Sequence, residues 1–158
     1  MKTDHSDFLG KACELALDGI KANKGGPFGA VVVLDGKVIG SACNEVLSTN
    51  DPIAHAEINA IREACKTINN FHLEGAILYC TCEPCPMCLA AMYWARIEKV
   101  IFASSKEDAA HAGFDDLRIY EDLGLKTRPL TLKMELIPHP ETGILYRAWM
   151  DKTDKVIY

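Results

Sequence analysis

The sequence has no hydrophobic run long enough to cross a bilayer. The apolar stretch around Leu89 to Ala95 falls far short of the roughly 20 residues that a spanning helix needs. It also lacks a basic patch followed by an apolar segment at its start. Asp4, His5 and Asp7 stand there instead, so a secretory leader is not expected. Internal repeats, low-complexity tracts and linkers are absent. Positive charge is not in excess: 17 Lys and Arg face 22 Asp and Glu, a net charge of −5. That balance argues against a protein whose affinity comes from neutralising many phosphates. With no membrane span and no export signal, a reducing cytoplasm is the expected compartment. There, cysteines read as ligands, nucleophiles or small core residues rather than disulfide halves.

What is present is ordinary for a soluble globular protein, except for the cysteines. The chain has 158 residues, 49% apolar and 25% charged, with seven cysteines. The length predicts one domain over residues 1–158. A chain of this size buries roughly 68–70% of the surface it exposes when unfolded, so its core needs no disulfides.

Hydrophobic spacing outlines the elements. Phe8, Ala12, Leu15, Ala16, Gly19 and Ile20 form a helical stripe between Ser6 and Asn23, with Ser6 or Asp7 as its expected cap. Ala30 to Leu34 is a β-branched run. Asp35-Gly36 is a strong hairpin signal, and Val38 to Cys43 returns. Ile58, Ile61, Cys65 and Ile68 mark a second helix. Ala76 to Cys80 reads as a strand, Cys85 to Arg96 as a helix and Val100 to Ala103 as a strand. A short helix within Asp115 to Leu123, a strand over Thr131 to Ile137 and a helix over Ile144 to Lys152 complete the chain. Strands alternating with helices imply an α/β layer structure with some parallel pairing, and the opening hairpin makes the sheet mixed.

Two short motifs carry the chemistry. His55-Ala56-Glu57 stands at the mouth of the second helix, and Pro84-Cys85-Pro86-Met87-Cys88 at the mouth of the third. Three residues of helix leave Cys85 and Cys88 about 60° apart on one face, so both sulfurs reach one ion. Pro86 suits a first helical turn, where its missing N–H has no partner to lose. The positive end of the helix dipole favours thiolates. On a helix flank His55 and Glu57 would diverge by about 200°. At a helix tip both point forward, which lets His55 bind a metal while Glu57 faces it without ligating. One imidazole and two thiolates suit Zn²⁺, and three protein ligands leave a fourth position open for water, as in a catalytic site. Zinc brings the pKa of bound water from 15.7 to about 7, and a neighbouring carboxylate then carries its proton.

Blander readings exist for the same residues. Cys85 and Cys88 suit a redox pair, which leaves His55 and Glu57 without a role. A structural zinc knot needs a fourth ligand, for which His72, Cys43, Cys65, Cys80 and Cys82 are available. Cys82 lies one residue too close to Cys85 for the usual two-residue gap. Cys13, Cys43, Cys65 and Cys80 fall at helix or strand positions that suit small apolar residues. His5, His72, His111 and His139 receive no role.

His-Ala-Glu with Pro-Cys-x-x-Cys resembles the cytidine deaminase superfamily of zinc hydrolases. The resemblance implies that His55, Cys85 and Cys88 hold Zn²⁺ and that Glu57 is the general acid/base. It also implies a three-layer α/β/α fold around a five-stranded mixed sheet. Further segments are similar to the bacterial guanine-deaminating branch. They are Gly25 to Gly29, Asn44, Thr49 to Pro52, Cys82 to Cys88, Tyr93 to Arg96, Ala112 to Asp116, and Tyr158. That likeness implies attack of water at C2 of guanine, giving xanthine and ammonia, with Glu57 passing a proton to N3 and then to the departing amine. A flat purine needs stacking faces, for which Phe28, Trp94 and Phe114 are candidates. Asn44 offers a donor and an acceptor to the purine edge. Ala56 belongs to the same set of substrate contacts. Asp116 is favoured as the reader of guanine, because Asp115 suits an N-cap of the next helix. The resemblance also implies a homodimer in which segment 138–158 is exchanged between subunits and Tyr158 closes a site.

Three other activities compete. A tRNA adenosine deaminase shares the zinc motifs, but it must grip a phosphate backbone and should carry a basic stripe. Asp115 to Asp122 instead holds four acids and one Arg, so nucleic acid is not the expected partner. A deaminase of a related heterocycle, such as cytosine or an aminotriazine, keeps the same catalytic residues. A non-catalytic zinc module needs a fourth protein ligand and has no use for Glu57.

Overall fold

The computed structural model describes residues 5–125 and 130–158. Its centre is a five-stranded sheet in the order β2-β1-β3-β4-β5. Helix α1 (His5–Lys21) leads into the hairpin of β1 (Gly29–Leu34) and β2 (Lys37–Cys43). Asp35 and Gly36 both take positive φ, 50° and 75°, which is the turn that the Asp-Gly pair predicts. Then follow α2 (Val46–Thr49), α3 (Ala56–Ile68), β3 (Ile77–Cys80), α4 (Pro86–Trp94) and β4 (Lys99–Phe102). The last elements are α5 (Lys106–His111), α6 (Leu117–Asp122), β5 (Lys133–Leu136) and α7 (Thr142–Met150). Strand β1 runs antiparallel to β2 and β3, while β3, β4 and β5 are mutually parallel. The expected three layers and mixed five-stranded sheet are therefore present.

Alternation along the strands assigns the two faces. Ala30 and Val32 pack with Ala56, Ala60 and Ala64 of α3 and Cys88, Leu89 and Met92 of α4. Val31 and Val33 face the other way, toward Leu9 and Ala12 of α1. Burial of each such valine contributes about 1.5–3 kcal/mol. Two glycines bring the helices close. A Cβ on Gly29 would stand 2.0 Å from the Ala12 carbonyl oxygen, and one on Gly40 would stand 2.3 Å from that of Ala60. Helix α7 joins the α1 side, where Leu145 packs with Cys13, Ala16 and Ile20.

Some local readings need correction. The buried stripe of α1 is rotated toward Leu9 and Cys13, with Phe8 and Leu15 at its margin. The helix already includes His5, so Ser6 and Asp7 lie in its first turn rather than at a cap. Helices α2 and α5 are absent from the sequence reading. The signal for α5 was available: Ser105 and Asp108 form a reciprocal capping box at its start. Among the described residues, no helix is long and apolar enough to cross a membrane.

Candidate active site

The site lies where the carboxyl ends of β2, β3 and β4 meet the loop that enters β1, the usual place for ligands on open α/β sheets. Helices α3 and α4 both begin there. His55 is the N-cap residue of α3 and Cys85 that of α4, each with extended backbone, so both side chains project from helix tips. The His55 Nδ1 atom is 3.6 Å from Cys85 Sγ and 3.6 Å from Cys88 Sγ. A tetrahedral Zn²⁺ with Zn–N near 2.0–2.1 Å and Zn–S near 2.3 Å would put its N and S ligands about 3.6 Å apart. The donor set therefore fits that ion in chemistry and in spacing. Among the described residues, no fourth His, Cys, Asp or Glu atom joins this group. His72, Cys43, Cys65, Cys80 and Cys82 all stand outside it.

The thiols differ. The Cys88 hydrogen bond lowers Cys85 to about 4 against the opposing effect of burial, with a further contribution from His55. Cys88, which shares its proton with Cys85 and is buried, is pushed far up. Burial alone would lower His55, but its hydrogen bond to Cys85 and the charge of Glu57 raise it. Glu57 is buried at the first turn of α3. Burial raises its pKa, and the Cys85 charge adds to this, while His55 opposes it. A carboxyl so placed holds a proton more readily than an ordinary glutamate, as a group that both takes and returns protons requires.

A cavity of about 320 Å³ opens in front of these residues, bounded by His55, Glu57 and Cys85. Phe28 and Phe114 line it and touch edge-to-face, with centroids 4.9 Å apart. Phe114 is backed by Trp149, at 5.3 Å and 2% exposed, a support that sequence reasoning missed. Asn44 is 1% exposed and lines the same cavity. Its Oδ1 accepts from Val46 N–H at 3.1 Å and from the Tyr158 hydroxyl at 2.8 Å. The acceptor expected to face a purine is thus already engaged, which leaves the Nδ2 donor. Tyr158 also accepts from Gly26 N–H at 2.7 Å and packs edge-on against Phe114. Burial pushes its phenol up to about 12, so it stays a donor. Gly26 makes room for these contacts: a Cβ there would stand 2.8 Å from the Phe114 ring and 2.9 Å from the Tyr158 hydroxyl.

Asp115 and Asp116 both line the cavity. Asp115 Oδ1 accepts from Leu117 N–H at 2.9 Å, so its carboxylate caps the start of α6. Asp116 occupies the N-cap position without a capping hydrogen bond from its side chain. Burial and the negative charge of Cys85 raise its pKa. Helix α6 is held over the Cys85 loop by Tyr120, whose hydroxyl donates to the Pro84 carbonyl at 2.6 Å. Lys106 and Glu83, which had no expected role, form an ion pair of 3.2 Å beside the cavity.

Two expected contacts are not met within the chain. Trp94 is 85% exposed and stands outside the cavity. Six residues past Cys88, it lies about 120° around α4 and about 9 Å along it. Nearness in sequence does not bring it to the site. Ala56 is fully buried between His55 and Glu57, and it gives the cavity none of its lining.

Known proteins match this arrangement. The model of the cytidine and deoxycytidylate deaminase zinc-binding region matches residues 2–104. A guanine deaminase of Bacillus subtilis is 44% identical over 98% of this chain and 99% of its own length. The crystal structure of guanine deaminase from that organism superposes with a TM-score of 0.75, covering 98% of this chain and 99% of the other. A tRNA-specific adenosine deaminase of Aquifex aeolicus is 40% identical over 80% of this chain and 81% of its own.

Proposed function

We propose that this chain, which belongs to the cytidine and deoxycytidylate deaminase family, is a zinc-dependent hydrolase that converts guanine and water to xanthine and ammonia. The observation that carries the choice of substrate is the small cavity lined by Tyr158, whose hydroxyl is bonded to Gly26 and Asn44. A space of about 320 Å³ narrowed by a tyrosine suits a free base, whereas a nucleotide within RNA needs an open path for its backbone. The likeness to the guanine deaminase over nearly the whole of both chains supports the same reading. The acidic net charge disfavours a polynucleotide partner.

In this reading His55, Cys85 and Cys88 hold Zn²⁺, which supplies an activated water when bound. Glu57 accepts the water's proton on its carboxylate, delivers it to N3 of guanine and carries a second proton to the 2-amino group as it leaves. Asp116 accepts from N–H groups of the base. Asn44 donates from Nδ2 to a ring acceptor. Phe28 and Phe114 form an apolar wall against the base, and Tyr158 narrows the mouth of the site. Adenine and cytosine present other donor patterns and would leave buried groups unpaired, which rejects them strongly. The enzyme serves purine breakdown in the cytoplasm, a location supported by seven free cysteines.

The proposal includes a homodimer with residues 138–158 exchanged between subunits. The adjacent exposed rings of Tyr93 and Trp94, 41% and 85% exposed at the end of α4, support a covered face in the assembled protein. Sedimentation tests it, and a monomer at micromolar concentration removes it. Substrate choice is tested by ammonia release from guanine, adenine, cytosine and a tRNA anticodon loop containing adenosine. Guanine should be the preferred substrate; release from the RNA alone overturns the reading.

A further inference from the structure

A second cluster of metal-ligating side chains forms away from the cavity, between α1 and the segment that follows β5. Cys13 Sγ is 3.9 Å from His139 Nδ1, and the Glu141 carboxylate joins them with all ligand atoms within 4.8 Å of one another. The thiol belongs to the buried face of α1, whereas His139 and Glu141 are half-buried on the loop before α7. That loop is constrained. Pro138 and Pro140 flank His139, and its carbonyl accepts from the Thr142 hydroxyl at 2.8 Å. His139 Nδ1 has one other polar contact, a long 3.4 Å hydrogen bond from Glu141 N–H.

We propose that Cys13, His139 and Glu141 form a second site for a borderline-soft divalent cation such as Zn²⁺, tying the C-terminal segment to α1. One thiolate, one imidazole and one carboxylate form a neutral site with a divalent ion and suit tetrahedral coordination completed by water on the half-buried side. The imidazole–thiol separation exceeds the tetrahedral value by only about 0.3 Å, which a side-chain rotation closes. Uptake would displace the Cys13 thiol proton, so binding is coupled to proton release. Because α7 and Tyr158 lie downstream on the same segment, the tie would anchor that segment at its root, and it would run between subunits where residues 138–158 are exchanged.

The site is tested on the full chain freed of any affinity tag, loaded with Zn²⁺ and desalted, with metal measured per chain. The wild type should carry two ions. C13S and H139Q should each carry one, and C85S/C88S one. H139Q tests the half-exposed ligand in case C13S misfolds. Cobalt-loaded C85S/C88S should show a thiolate-to-cobalt absorption band that disappears on adding C13S. One ion per chain in the wild type, or a wild-type count in both C13S and H139Q, overturns the proposal and leaves Cys13 as a hydrogen-bond donor to His139. Metal counting does not depend on turnover, so failure here is separable from failure of the guanine reading.

Discussion

Replacing Tyr158 with phenylalanine removes one oxygen from the cavity wall and keeps the ring. Two hydrogen bonds go with it, that from Gly26 N–H at 2.7 Å and that to Asn44 Oδ1 at 2.8 Å. The two partners are affected unequally. Asn44 Oδ1 keeps its bond from Val46 N–H, whereas the Gly26 N–H loses its acceptor in a buried position. An unsatisfied buried donor costs about 1–3 kcal/mol. At 1.36 kcal/mol per tenfold, closure should weaken roughly 5- to 150-fold. The ring contact with Phe114 persists, so the tail should not detach entirely. Amide exchange at Gly26, followed by NMR, should accelerate by that factor, and kcat/KM for guanine should fall with it. The reasoning applies equally if the tyrosine comes from the partner subunit. Exchange at Gly26 within about two-fold of wild type, together with unchanged kinetics, would refute it.

Glu57→Gln should keep its metal and fold while turnover falls by about 10²- to 10⁴-fold, since only the proton carrier is lost; wild-type turnover with full metal content contradicts the assignment. Asp116→Asn should lower kcat/KM for guanine by roughly 10- to 150-fold, the cost of losing a charged hydrogen-bond acceptor, and an unchanged value points to Asp115. Metal uptake by the stripped protein should release protons in a pH-dependent number. Cys85, lowered to about 4, is already a thiolate at neutral pH, while Cys88 keeps its proton until the metal arrives. The logarithm of the affinity should therefore rise about one unit per pH unit above the raised His55 pKa and about two units below it. Affinity independent of pH between 6 and 8 would contradict this.

The parts of the site legible in the sequence are those set by local geometry. His-Ala-Glu and Pro-Cys-x-x-Cys each open a helix, so spacing alone points their side chains forward, and the fold need only bring two helix tips together. The hairpin at Asp35-Gly36 and the alternation in β1 are local in the same sense. What is not legible depends on long-range packing. Trp94 is near Cys88 along the chain but about 120° around α4 from it. The occupied acceptor of Asn44 depends on Tyr158, 114 residues away. Trp149 supports Phe114 only because α7 returns across α1. Cys13 meets His139 across 126 positions, so neither residue carries a signal of the other. Helix α5 is a different kind of miss, since its capping box stands in the sequence.

The contact at Gly40 carries a further consequence. Helix α3 rests on that glycine at Ala60, one turn inside the helix whose tip bears His55. The tip of α4, with both thiols, is not among the nearest neighbours of that glycine. The 3.6 Å separations at the metal position are thus a difference between two helix placements. A single methyl group on Gly40 would lift one helix and not the other. A position far from any reacting atom therefore acts as a calibration screw for the centre. Gly40→Ala should yield a chain that retains its sheet but loses zinc to chelators faster than the wild type, an inherited defect of metal retention with every ligand intact.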